Sequence, residues 1–129
     1  MVGRALFCSA RFLAESEKTD YDDPGLAELK EKLLEGKEQV LEAVRFVKSR
    51  STAYLDLSGR RLVDAAIAVI CGHLLLGQGV NNERKRRVAR RFIESRMPLL
   101  RMNCEQVLAG DMTPLEEYEL LAGPVPASD

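Results

Sequence analysis

No apolar stretch in this chain reaches the length of a membrane span. The longest, Ala65–Leu76, is interrupted by His73, whereas a spanning helix needs about 20 such residues. The run is therefore read as a buried core helix, and no membrane partner is expected. Cysteine is scarce: Cys8, Cys71 and Cys104 are odd in number, widely spaced and without a Cys-x-x-Cys pair. That argues against a disulfide framework or a zinc site and for reduced thiols in a cytoplasm. Met1–Leu13 carries Arg4 and Arg11 but no long apolar block, so it does not read as a secretory signal. Gly77-Gln78-Gly79 is too short to cradle a phosphate and lacks the strand–helix setting of such loops. Asp20, Asp22 and Asp23 have neither the mid-loop glycine nor the spacing of a calcium loop, and are read as a linker before Pro24. No strand pattern, internal repeat or low-complexity tract is present.

What is there is helical. The 129 residues, 46% apolar and 30% charged, suit one domain spanning 1–129. Leu26, Leu33, Val40 and Val47 recur every seven residues, and Leu29, Gly36 and Ala43 run beside them, which predicts a helix from about Gly25 to Lys48. Asp23-Pro24 is its start signal. A second long helix runs from Thr52–Leu55 to about Gly77, ended by Gly77 and Gly79, with Gly72 allowing close packing. Asn81-Asn82 caps a third, about Glu83 to Leu108, whose stripe is read as Val88, Phe92, Leu99, Met102 and Val107, with Ala89 and Leu100 beside it. Pro98 should kink or interrupt that helix. A short N-terminal helix within 1–16 buries Leu6, Phe7, Ala10 and Leu13, Thr113–Glu116 starts a last helical turn, and 122–129 is a loose tail. The fold class expected is an all-α, up-down four-helix bundle.

Net charge is only −1, yet the charges are segregated. Glu15–Glu42 is strongly acidic and Arg84–Arg101 strongly basic, while the tail after Cys104 holds acids and no Lys or Arg. The basic stretch implies an anionic contact, most simply the acidic part of this fold or of a second copy. Arg84, Lys85, Arg87 and Arg91 are the candidate anion-contacting residues. A small nucleic-acid-binding protein using this basic helix is the alternative. It is disfavoured because no aromatic interleaves the arginines as a stacking platform. The single histidine, His73, is read as a core or interface residue. Cys71 lies two positions away and cannot face it on a helix. A third possibility is a small enzyme with Cys71 or Cys104 as nucleophile.

Ala53-Tyr54-Leu55-Asp56-Leu57-Ser58-Gly59 opens the apolar helix, and Leu74-Leu75-Leu76 follows within it. The next helix carries Ala89-Arg90-Arg91-Phe92-Ile93 before Pro98, and Ala109-Gly110-Asp111 comes after it. In order and spacing this set, over 24–121, resembles the C-terminal helical domain of the long-chain-type (extended) acyl-CoA dehydrogenases. The resemblance implies the fold already named. It also implies a non-catalytic accessory or assembly domain, because the family's base and flavin site lie in a core for which this chain is too short. On that footing FAD is expected only in a full-length dehydrogenase, and neither a catalytic nor a metal-binding residue is carried over. The expected partners are a second copy of the chain or an acyl-CoA dehydrogenase core, contacted through Tyr54, Leu55 and Leu57.

Overall fold

The computed structural model describes residues 11–124, which are helical almost throughout and contain no strand. The elements are α1 (described over 11–18), α2 (Pro24–Lys48), α3 (Thr52–Gly79), α4 (Glu83–Leu108), α5 (Thr113–Glu116) and α6 (Tyr118–Ala122). The short links between α2, α3 and α4 force each helix to run back along its predecessor. Every long helix starts on a side-chain cap, which satisfies backbone N–H groups that have no intrahelical acceptor. Asp23 accepts from the Gly25 and Leu26 amides at 2.8 and 3.2 Å. Ser51 accepts from Tyr54 N, and Asn82 from Lys85 N. The acid of the Asp20–Asp23 run nearest the helix is thus a cap.

α2 buries the seven positions its periodicity predicts: Leu26, Leu29, Leu33, Gly36, Val40, Ala43 and Val47. α1 lies along α2 and α3, placing Leu13 against the core and pairing Glu17 with Lys37. Leu6, Phe7 and Ala10 fall outside the described residues. α5 packs beside α3, where Pro114 lines one pocket with Tyr54 and Leu57, and α6 packs on α5. Gly110, at φ +67°, turns the chain after α4, its Cα hydrogens close to the Phe46 ring.

α3 passes through Gly77 and ends at Gly79, the second of the two glycines expected to close it. A Cβ at Gly79 would lie 3.1 Å from the Arg86 Cα, so its lack of a side chain serves the α3–α4 approach. Two expectations need correction. α4 runs unbroken through Pro98. Pro98 and Glu94 are both exposed, so the Glu94 carbonyl that loses its donor remains open to water. The second correction concerns which side of α4 is buried. It is formed by Ala89, Ile93, Met97, Leu100, Cys104 and Val107, whereas Val88, Leu99 and Met102 are close to half exposed.

Gly72 sets the approach of α2 to α3: a Cβ there would lie 2.4 Å from Leu33 Cδ2, and Leu33 is fully buried. Gly72→Ala should destabilise by about 1–2 kcal/mol, overpacking outweighing the helix-propensity gain. Gly77→Ala, with no atom within 4 Å of its new Cβ, should stabilise by up to about 1 kcal/mol. Urea unfolding midpoints of the two variants must move in opposite directions.

Candidate functional site

From Ala65 onward α3 is apolar on nearly every side. By length and composition alone it could cross a membrane, with a mean hydropathy of 1.6 over its best window, yet only 39% of that window is buried inside the chain. As a whole helix it therefore exceeds what the shorter Ala65–Leu76 run suggests. Val63, Ile67 and Leu74 form an outward stripe on it, each about half exposed. Next to them α4 presents the half-exposed Val88, Leu99 and Met102 and the half-buried Phe92. The α3–α4 groove between these stripes has a volume of about 480 Å³ and includes Ile67, Cys71, Phe92, Leu99 and Met102 in its lining. Arg96 lies over the Phe92 ring at 5.6 Å, placing a cation on the groove wall. Among the described residues nothing covers this face.

The basic segment divides by helix side. Arg84, Lys85, Arg87 and Arg91 are exposed. Arg87 holds Glu83 at 2.7 Å in an open i,i+4 pair, of a kind that contributes little to stability. Arg84, Arg87 and Arg91 frame a shallow depression floored by Val88 and Phe92. Arg90 turns towards Glu94. Arg86 points inward: its guanidinium donates to Asp23 Oδ2 at 2.8 Å and to the Gly79 and Val80 carbonyls. One side chain thus ties the start of α2 to the end of α3 and the start of α4. Sequence reasoning missed this role. The available signal was the cap position of Asp23, whose second carboxylate oxygen remains free to accept.

The three proposed contact residues are not brought onto one surface. Tyr54 is 2% exposed. Its hydroxyl donates to the Val107 carbonyl and its ring packs edge-on against Phe46 at 6.1 Å. It is a core residue, which removes it from any external contact. Leu55 is 47% exposed and Leu57 half-buried against the core. The face with the larger uncovered apolar surface lies further along, around Ile67 and Leu99.

His73 is buried, and neither ring nitrogen has a hydrogen-bond partner among the described residues. Desolvation lowers its pKa. Nearby Glu17 acts the other way, and Lys30 and Lys37 reinforce the lowering. Neither Cys71 nor Cys104 bonds to it. Cys104 is buried in α4, its thiol pushed up first by desolvation and then by Glu42. That is the opposite of what activates a nucleophilic thiolate. No cluster of metal-ligating side chains occurs among the described residues.

The family model described as "Acyl-CoA dehydrogenase C terminal" matches residues 10–98, more than half of the chain. No curated protein matches the chain. No solved structure does either.

His73 gives this fold a pH dependence of definite sign. In the unfolded chain an imidazole takes up a proton near its ordinary pKa of about 6.5, while the buried ring resists protonation until lower pH. Stability is therefore fully present above that value and falls as pH drops towards the lowered folded-state value. His73→Leu should flatten the fall in urea midpoint between about pH 7 and pH 5, a range where few carboxylates titrate. A wild-type midpoint constant over that range would contradict the assignment.

Proposed function

The chain belongs to the acyl-CoA dehydrogenase C-terminal family, and from this footing we propose that it is a non-catalytic accessory and assembly domain. Its task is to cover apolar helix surface on another polypeptide, either a second copy or an FAD-dependent dehydrogenase core. Flavin and substrate chemistry belong, on this reading, to that core. The observation that carries the proposal is the uncovered α3–α4 face around Ile67 and Leu99.

Magnitudes make the face significant. Burying a large aliphatic side chain contributes about 1.5–3 kcal/mol, so completing the burial of six half-exposed ones contributes roughly 5–9 kcal/mol. Association costs an estimated 4–15 kcal/mol in lost freedom. The face is therefore sufficient to add to an interface and marginal as a whole one. An assembly domain working beside other contacts has these proportions.

The second reading, nucleic-acid binding through Arg84, Lys85, Arg87 and Arg91, rests on the exposure of all four. It is disfavoured by the apolar floor of the depression that three of them frame. Phosphate binding calls for cations alone, whereas an apolar floor with a cationic rim suits a protein surface.

The test is co-expression with an acyl-CoA dehydrogenase core, followed by co-purification and a Tm measurement. The wild-type chain should co-purify with the core or with itself, and the Ile67→Glu/Leu99→Glu variant should lose that association while keeping its helical circular dichroism. Binding that the double variant leaves unchanged would overturn the assignment of the face. A flavin absorbance band in the chain purified alone would overturn the non-catalytic role.

A further inference from the structure

We infer that two copies of this chain pair through a two-fold axis crossing the α3–α4 face, with the α5–α6 segment of each seated on the Arg84–Arg91 end of the other. The inference rests on the docking role just proposed and names its partner.

The two ends of the face are complementary. At one end, the start of α4, Arg84, Arg87 and Arg91 ring the Val88–Phe92 depression, of about 430 Å³. At the other end, Glu105 in the last turn of α4 and Asp111, Glu116, Glu117 and Glu119 beyond it are all exposed. No lysine or arginine follows Cys104. The same end carries the most exposed large apolar residues among those described: Tyr118, Leu121 and, at 82%, Leu120. One end is thus an apolar depression with a cationic rim, and the other an apolar projection with an anionic rim.

They cannot meet within one chain. Arg84 and Leu108 are separated by nearly the whole of α4, roughly 35 Å at 1.5 Å per residue. α5 is held at the start of α3, where Pro114 packs beside Tyr54 and Leu57. A second copy resolves the separation. α3 and α4 run antiparallel, with Ile67 and Leu99 sharing the middle of their groove. A two-fold axis perpendicular to both helices at that point lays each face on its duplicate, head to tail. Ile67 and Leu99 then form the apolar centre, and each basic end receives the partner's acidic α5–α6 segment. Such a contact is isologous and closes after two copies.

Sedimentation velocity over a concentration series, at low and at raised salt, tests the pairing. The wild-type chain should dimerise, with a Kd that rises with salt. Arg84→Glu/Arg91→Glu should weaken it by about tenfold or more, and Glu117→Arg/Glu119→Arg should do the same. All four substitutions in one chain should restore it, since like charges meet in neither contact. Leu120→Ser/Leu121→Ser should also weaken it without loss of helical circular dichroism. A chain monomeric throughout, or a dimer indifferent to both reversals, overturns the pairing. A monomer that still binds a dehydrogenase core through Ile67 and Leu99 overturns it while leaving the accessory role standing. Binding of Arg84 and Arg91 to nucleic acid in place of a second copy also overturns it.

Discussion

A bundle of this kind can cover only part of each of its long helices, and the second half of α3 is apolar on nearly all sides. The rest of the structure follows from that mismatch. α2 and α4 take the two flanks of the buried side and α1 adds Leu13 at the α2–α3 seam. Small residues let the flanking helices come close: Gly72 admits Leu33, and Gly36 leaves room for Met97 and Leu100. Close approach increases the dispersion contacts of the covered side. It does nothing for the outward stripe of Val63, Ile67 and Leu74, which no described element covers.

α4 extends the same argument. It has two apolar stripes, one turned inward through Ile93, Met97 and Leu100 and one turned out through Val88, Leu99 and Met102. A helical period finds an apolar stripe but is silent on which neighbour covers it. That is why the α4 stripe read from sequence turned out to be largely the uncovered one. On α2, with a single apolar stripe opposed by Glu28, Glu31, Glu35, Glu38 and Glu42, the pattern admitted one solution, and all seven core positions were legible. The all-α class, the three long helices and the caps at Asp23 and Asn82 were legible for the same local reasons. Tyr54 was expected at an outer contact and lies in the core. The partner that allows it inside is a carbonyl near the end of α4, more than fifty residues away. Long-range acceptors of that kind leave no trace in local pattern.

Charge tells the same story at finer grain. As a sequence, Arg84–Arg91 is a single basic block. In the fold, Arg86 is drawn inward by Asp23 and two carbonyls, and Arg90 is turned to Glu94. The Asp23 carboxylate, capping α2 with one oxygen and holding Arg86 with the other, fixes three helix ends in one network. Removing either partner leaves a half-buried charge without its counter-charge, which costs more than the intact pair contributes. The outward cations, by contrast, have little structural work within the chain. The fold therefore separates one run of arginines into a structural set and an available set.

The available set lies at one end of the uncovered apolar face, and this coincidence weighs on function more than either feature alone. An exposed basic stripe on a polar helix would suit a phosphate backbone equally well, because counterion release needs only cations. An exposed apolar stripe without charges would suit any apolar surface and would promote aggregation. Together they suit the kind of partner proposed above, one with both an apolar body and an acidic rim, in which apolar burial would supply affinity and the charges register. The C-terminal end of this chain has that composition from Glu105 to Leu121. On the proposed pairing, burial of the α3–α4 face is limited by geometry: a surface that could attract many partners loosely is restricted to one that presents its acids about half a helix length from the centre of the contact.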